Sequence, residues 1–477
     1  MPKVLGIDSS TQACKVEVRD SETGELLATG RADHPAVHPP RAEQDPEAWW
    51  RALVSAVRGC GVGDIGAVAV AGQQHGLVTL DRRGAVIRPA KLWNDTESAP
   101  DARRLVEQIG GPDLWADACG SVPVASFTIA KLSWLRRREP TSWERLHTVL
   151  LPHDYLNHRL TGNYCTDRGD ASGTGYWSPR GGAYCWDLLA LVDDARDWPA
   201  AVPSVLGPHE AAGVLLAGAA AELGLAGEPV VTSGTGDNMA AALGLGLAPG
   251  EVVVSLGTSG TVFTVANEPT ADSTGAVAGF ADASGRFLPL VCTLNATQVT
   301  DAVARLLGVD HRGLDELALS APPGAGGVTL VPYFAGERTP NRPEATGMLT
   351  GLRTDVSREQ LARAAFEGVV CGLLDGVDAL RQADADVEHG RLLLIGGGSR
   401  STAFRQFVAD LAQREVSVPH GDEHVAAGAC VQAAAVIHGR EPAEVATAWR
   451  LTTASLVPPD ETVDHEAIRA AYAAARG

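Results

Sequence analysis

Apolar and polar positions alternate from the start of the chain. Val4 to Ile7 is mostly apolar, Asp8-Ser9-Ser10-Thr11 is a small polar turn, and Lys15 to Arg19 alternates again. This pattern predicts a hairpin with Asp8 near its tip. It recurs in Glu251 to Ser255, the turn Leu256 to Gly260 and Thr261 to Val265, so one strand-turn-strand unit is expected to open each of two similarly built halves. The run Gly244 to Gly250 carries the Gly and Pro content of a bend, which puts the expected boundary between domains 1–245 and 246–477. Ser357 with Gln360 forms a capping-box pattern, and Leu361, Ala365, Val369, Leu373, Val377 and Leu380 follow at helical spacing. Leu392 to Ile395 reads as a strand entering Gly396-Gly397-Gly398-Ser399, with a helix expected over 402–413. Strands and helices alternate in both halves, which predicts an α/β architecture.

Composition narrows the class. The 477 residues exceed what one core usually supports, so two domains with a cleft between them are expected. The chain is 45% hydrophobic and 20% charged, with no bilayer-length apolar run, as in a soluble globular enzyme. Asp8 interrupts the N-terminal apolar segment where a secretory signal would need continuity, so a cytoplasmic location is expected. The eight cysteines are scattered without a Cys-x-x-Cys pair, against a disulfide framework or a structural zinc site. A net charge of −19 argues against nucleic acid or an anionic membrane as partner. Small molecules remain, with a second copy of the chain as the one macromolecular partner left open. The charge does not exclude ATP, because backbone N–H groups and Mg²⁺ can hold phosphates in an acidic protein.

Three small-residue turns, Asp8 to Thr11, Gly257 to Gly260 and Gly396 to Ser401, call for one explanation. Glycine lets the backbone approach a ligand, and successive N–H groups then form a concavity for phosphate oxygens. Each turn alone is equally a tight hairpin or a strand-to-helix junction; together they suggest a bound phosphate chain. Ser233-Gly234-Thr235-Gly236-Asp237-Asn238 sets one acid among small residues after Val230-Val231. Asp237 reads either as the N-cap of a helix over 238–243 or as a general base for an alcohol attacking phosphorus. Gly72-Gln73-Gln74-His75-Gly76 follows a strand-like segment and offers polar side chains suited to a polyol, or a polar loop with a capping His. Trp93-Asn94-Asp95-Thr96 leaves the same choice between a sugar platform and core filling.

These residues, in this order, resemble the FGGY carbohydrate kinases of the actin-like ATPase group. The likeness spans nearly the whole chain. It is carried by Gly6 to Thr11, Glu43 to Pro46, Gly72 to Gly76, Trp93 to Asp95, Leu151 to Tyr155, Gly236 to Asn238, Gly257 to Gly260, Gly336 to Pro340 and Gly396 to Gly398. Two longer patterns also match, Ser126-Phe127-Thr128 with Lys131 and Trp134, and Gly347 through Gly351-Leu352 to Glu367. The resemblance implies two actin-like (ribonuclease H-like) α/β domains, the first carrying sugar and base, the second the nucleotide. It implies ATP and Mg²⁺ as requirements, and D-xylulose as sugar ahead of ribulose, glycerol or gluconate. By position it implies that Asp237 is the base and that Asp8 assists catalysis, both near Mg²⁺ through water. Gln74, His75, Asn238, Trp93 and Asn94 would accompany Asp237 around the sugar. Ser10, Thr11, Gly257, Thr258, Ser259, Gly397, Gly398 and Ser401 would meet the nucleotide. Two positions depart from the pattern: Gln74 stands where some relatives have Met, and Glu97 where many have Arg.

Two other classes are weaker. An NAD-dependent oxidoreductase would need a third fingerprint glycine and an acid ending the strand-like segment Val416-Ser417-Val418, and the chain has neither. A chaperone-like ATPase gives no reason for Asp237 or the Gln74-His75 pair.

Overall fold

The computed structural model describes residues 2–37, 40–421, 423–451 and 453–477. The chain forms two compact units: 1–247 with 267–288 and 423–452, and 248–266 with 289–422 and 453–477. The bend expected near 244–250 coincides with the turnover at Leu247, but one cut there does not separate the units, because two later segments return to the first. The reason is close helix packing. The helix His424–His438 lies against Asp237–Gly244, and a Cβ on Gly428 would sit 1.8 Å from the Ala240 carbonyl oxygen. Only glycine lets the two backbones approach this far.

In the first unit, Lys3–Ser9 pairs antiparallel with Ala13–Asp20 as the alternation predicts, with Asp8 opposite Lys15. Lys3–Ser9 also pairs in parallel with Ala67–Gly72, setting Asp8 beside Ala71 and Ser9 beside Gly72. The short strand Thr235–Gly236 runs parallel on the other side, with Gly236 beside Gly72. The register therefore brings the C-terminal ends of three parallel strands together, and each runs directly into a segment singled out for its chemistry. In open α/β sheets such strand ends are where ligands bind. The first unit's core is filled from the sheet and from helix Pro46–Gly59, which buries Trp49, Trp50 and Leu53.

The second unit repeats the device. Val252–Leu256 pairs antiparallel with Gly260–Thr264 and in parallel with Leu392–Ile395. The predicted long helix spans Arg358–Gln382, and its capping box forms: Ser357 Oγ accepts the Gln360 N–H at 3.3 Å and Gln360 Oε1 accepts the Ser357 N–H at 2.9 Å. A 3₁₀ turn, Gly397–Arg400, separates Leu392–Ile395 from the helix Thr402–Ala412. Among the described residues all eight cysteines are free, and no helix is long and apolar enough to cross a membrane.

Candidate active site

Asp237 opens the helix Asp237–Gly244, but Gly236 holds the cap position and Asp237 is the first helical residue. The N-cap reading is therefore corrected by one position. The carboxylate still accepts the Asn238 backbone N–H at 2.8 Å and its side-chain amide at 2.9 Å. Burial pushes the carboxyl up to about 6, with these Asn238 bonds pulling the other way. A base in that range is ionised near neutrality and remains a better proton acceptor than an ordinary carboxylate.

Asn238 joins Asp237 to the residues expected around the sugar. Its amide also donates to Gln74 Oε1 at 3.0 Å, and Gln74 Nε2 is buried without a hydrogen-bond partner among the described residues. His75 takes a left-handed φ of 65°, and its carbonyl accepts Thr128 Oγ1 at 3.2 Å and Lys131 Nζ at 3.0 Å. Thr128 and Lys131 of the Ser126-to-Trp134 pattern thus hold a backbone conformation that few side chains adopt. The His75 ring stacks on Phe127 at 5.2 Å and tilts against Phe280 at 5.4 Å. On another side it meets Gly173, where a Cβ would lie 2.3 Å from the imidazole.

Asp8 is 3% exposed, and its Oδ1 has no hydrogen-bond partner among the described residues. Its other oxygen is 3.9 Å from Lys15 Nζ, which pairs more closely with Glu423 at 2.9 Å. Burial raises the Asp8 carboxyl to about 7; Lys15 lowers it, while Asp237 and Glu423 raise it further. An orphaned buried carboxylate oxygen beside a second raised acid fits a hydrated divalent cation, which would stabilise both charges.

The N-terminal turn divides differently from expectation. Ser10 Oγ closes its own turn on Ala13 O at 3.1 Å. Thr11 Oγ1 accepts the Trp93 indole N–H at 2.9 Å and donates to Gln73 Oε1 at 3.2 Å. The structure thus joins Thr11, expected beside the nucleotide, to the Trp93 and Gln73 network. Gln73 Nε2 and Asn94 Oδ1 are further buried atoms without partners among the described residues. Glu97 is not an unpaired charge: its carboxylate meets the fully buried Lys91 at 2.7 Å. Lys91 also holds Asp95 at 2.8 Å and Glu43 at 3.3 Å and sits 3.9 Å over the Trp134 ring.

In the second unit, Gly257-Thr258-Ser259 and Gly396-Gly397-Gly398 follow neighbouring parallel strands, Ser255 being opposite Ile395. Gly396 adopts φ 85°, and a Cβ there would lie 2.6 Å from Leu256 O; Gly397 faces open space. Thr258 and Gly397 are exposed in turns of small residues, the kind of backbone that suits phosphate oxygens. Ser401 differs: it caps the following helix, accepting the Phe404 N–H at 3.1 Å and donating to Asp315 at 2.7 Å.

Sequence reasoning missed the side chains that hold the Asp237 turn from behind. Asn157 Nδ2 donates to Ser233 O at 2.7 Å, and Gln432 Nε2 reaches Ser233 Oγ at 3.1 Å and Gly234 O at 3.0 Å. Gln432 lies in an alanine-rich helix, where a polar residue in so apolar a run was the one local hint.

Residues 3–244 match the N-terminal domain of the FGGY family of carbohydrate kinases, and residues 252–437 match its C-terminal domain. The chain belongs to that family. It is 48% identical over 469 residues to a xylulose kinase of Streptomyces rubiginosus, covering 97% of this chain and 95% of that protein. Against a xylulose kinase of Streptomyces coelicolor it is 50% identical over 450 residues, 94% of this chain and 91% of the other. The crystal structure of xylulose kinase from Bifidobacterium adolescentis superposes with a TM-score of 0.88 at 42% identity, over 100% of this chain and 99% of that one. Family membership makes the protein a sugar kinase with a two-domain, actin-like α/β fold.

Proposed function

We propose that this FGGY kinase transfers the γ-phosphoryl group of ATP to the terminal hydroxyl of D-xylulose, giving D-xylulose 5-phosphate and ADP. The observation that carries the reading is the continuous path Asp237–Asn238–Gln74 at three converging strand ends, with His75 next in the chain to Gln74. The 48–50% identity to proteins named xylulose kinase selects the sugar.

Asp237 accepts the hydroxyl proton as the sugar oxygen bonds to phosphorus and the bridging bond to ADP breaks. With its pKa near 6, roughly ten carboxylates are ionised for each one protonated at pH 7. Asn238 fixes the carboxylate's direction, and the unpartnered Gln74, Gln73 and Asn94 atoms supply hydrogen bonds for hydroxyl groups. The rigid stacking of His75 on Phe127 holds it for a polar contact to the ketose. Asp8 and Asp237 would hold Mg²⁺ through water, and the ion would neutralise phosphate charge. Thr258 with its flanking residues, and Gly397-Gly398, would meet ATP; the Ser401 hydroxyl serves its helix cap instead.

A coupled ADP-release assay over D-xylulose, ribulose, glycerol and gluconate tests the reading. The highest kcat/KM is expected with D-xylulose. ATP turnover indifferent to added sugar would refute the kinase reaction, and a better substrate among the other three would refute the sugar.

A further inference from the structure

Behind the Asp237 turn is a buried charge cluster with no assigned part in the reaction. His153 and Asp154 open the helix Pro152–Thr161, and both are fully buried. His153 Nδ1 lies 2.8 Å from Asp170 Oδ2, while Nε2 lies 3.2 Å from Asp154 Oδ1 and 3.6 Å from Asp167 Oδ1. Burial alone would lower the imidazole pKa, but Asp154, Asp170 and Asp167 around the ring raise it to about 10, while burial raises the Asp154 and Asp170 carboxyls in turn. Cys165 and Tyr176 also lie within reach of these carboxylates, and both stay protonated.

The cluster leads directly to the catalytic turn. Asp167 Oδ2 accepts the Gly169 N–H and the Thr235 hydroxyl, each at 2.8 Å, while Oδ1 accepts the Asp170 N–H at 3.0 Å. Thr235 stands two residues before Asp237, in register with Ala71. The His153 ring also fills the space beside Gly234, where a Cβ would lie 2.8 Å from its Cδ2. One turn further along the same helix, Asn157 holds Ser233. A buried group of ions is a poor source of stability, since desolvating each charge offsets most of their attraction. Its placement against one short backbone segment gives it another use.

We propose that His153 is a positioning residue for phosphoryl transfer: with its ring 3.6 Å from Asp167, the acceptor of the Thr235 hydroxyl, and packed against Gly234, it fixes the backbone that aims the Asp237 carboxylate. This rests on Asp237 being the base. A misplacement of about 1 Å can cost on the order of 10²-fold in rate, so a clamp on this segment acts on turnover more than on sugar binding.

The test measures kcat and KM for D-xylulose at saturating ATP in His153→Gln, Thr235→Val, Thr235→Ser and Asp237→Asn. His153→Gln and Thr235→Val should lower kcat about tenfold or more with KM within about threefold, and Thr235→Ser should restore kcat by keeping the hydroxyl on Asp167. A His153→Gln or Thr235→Val enzyme within about twofold of wild-type kcat would overturn the proposal, as would an equal loss in Thr235→Ser. If His153→Gln does not fold, the Thr235 pair decides alone by the same criteria. Should Asp237→Asn keep normal turnover, the base assignment itself fails and this proposal with it. An inactive Asp237→Asn beside a normal Thr235→Val rejects only the clamp.

Discussion

Replacing Asp237 with Asn should make the first unit more stable while removing its chemistry. Folding raises the Asp237 carboxyl from 3.8 to about 6, so the folded unit binds this proton more tightly than the unfolded chain does. The group's stabilising contribution is therefore complete below pH 4 and is lost as pH rises through about 6. At about 1.4 kcal/mol per pKa unit, the ionised carboxylate costs the folded unit about 2 to 3 kcal/mol at pH 8, and about half as much at pH 5. Asn has the same shape and can still accept the Asn238 N–H, so Asp237→Asn should recover that free energy. Urea unfolding followed by tryptophan fluorescence is well suited, because all ten tryptophans fall in the first unit. The mutant should show the higher midpoint at pH 8, with the gap narrowing at pH 5, and should lose about 10²- to 10⁴-fold in kcat. Equal midpoints at pH 8, or a gap that widens on acidification, would refute the electrostatic argument. Retained turnover would refute the base.

Four further outcomes follow from named contacts. The kcat/KM for D-xylulose should fall about tenfold per pH unit below about pH 6, as Asp237 takes up its proton, and a flat profile down to pH 5 would contradict this. Gly173→Ala should raise the sugar KM about tenfold by displacing the His75 ring, since its Cβ would lie 2.3 Å from that ring; steady-state kinetics at fixed ATP would show it. Gly428→Ala should lower the first unit's urea midpoint by the equivalent of about 1 to 3 kcal/mol, by forcing its helix away from Ala240. Glu97→Gln should change kcat/KM for D-xylulose less than about threefold, because Lys91 keeps Asp95 and Glu43; a changed ranking in a sugar panel would instead give Glu97 a role in specificity.

Much of this was legible along the chain because its causes are local. The two hairpins follow from alternation around small-residue turns, and the helix Arg358–Gln382 from a capping box plus a helical stripe. The glycine turns after Leu256 and Ile395, and the acid at 237, stood out because such residues have little packing value where they occur. By itself the sequence thus determined the elements, the α/β class and the candidate chemistry.

Only the tertiary structure decided how these parts meet. Asp8, Gly72 and Gly236 meet at the C-terminal ends of adjacent parallel strands through strand register, which depends on pairings between distant segments rather than on any local pattern. The return of His424–His438 to the first unit depends on backbone contact at Gly428, and that glycine looks ordinary in an alanine-rich helix. The resemblance puts Thr11 and Ser401 beside the nucleotide, yet their hydroxyls are engaged by Trp93 with Gln73 and by Asp315. Glu97 looked like a reversed charge because its partner, Lys91, is identified as buried only once the chain has folded. His153 with its three carboxylates shows the same limit. In sequence a buried ion is indistinguishable from a solvated one, and its pKa and its role are set by what the fold places around it.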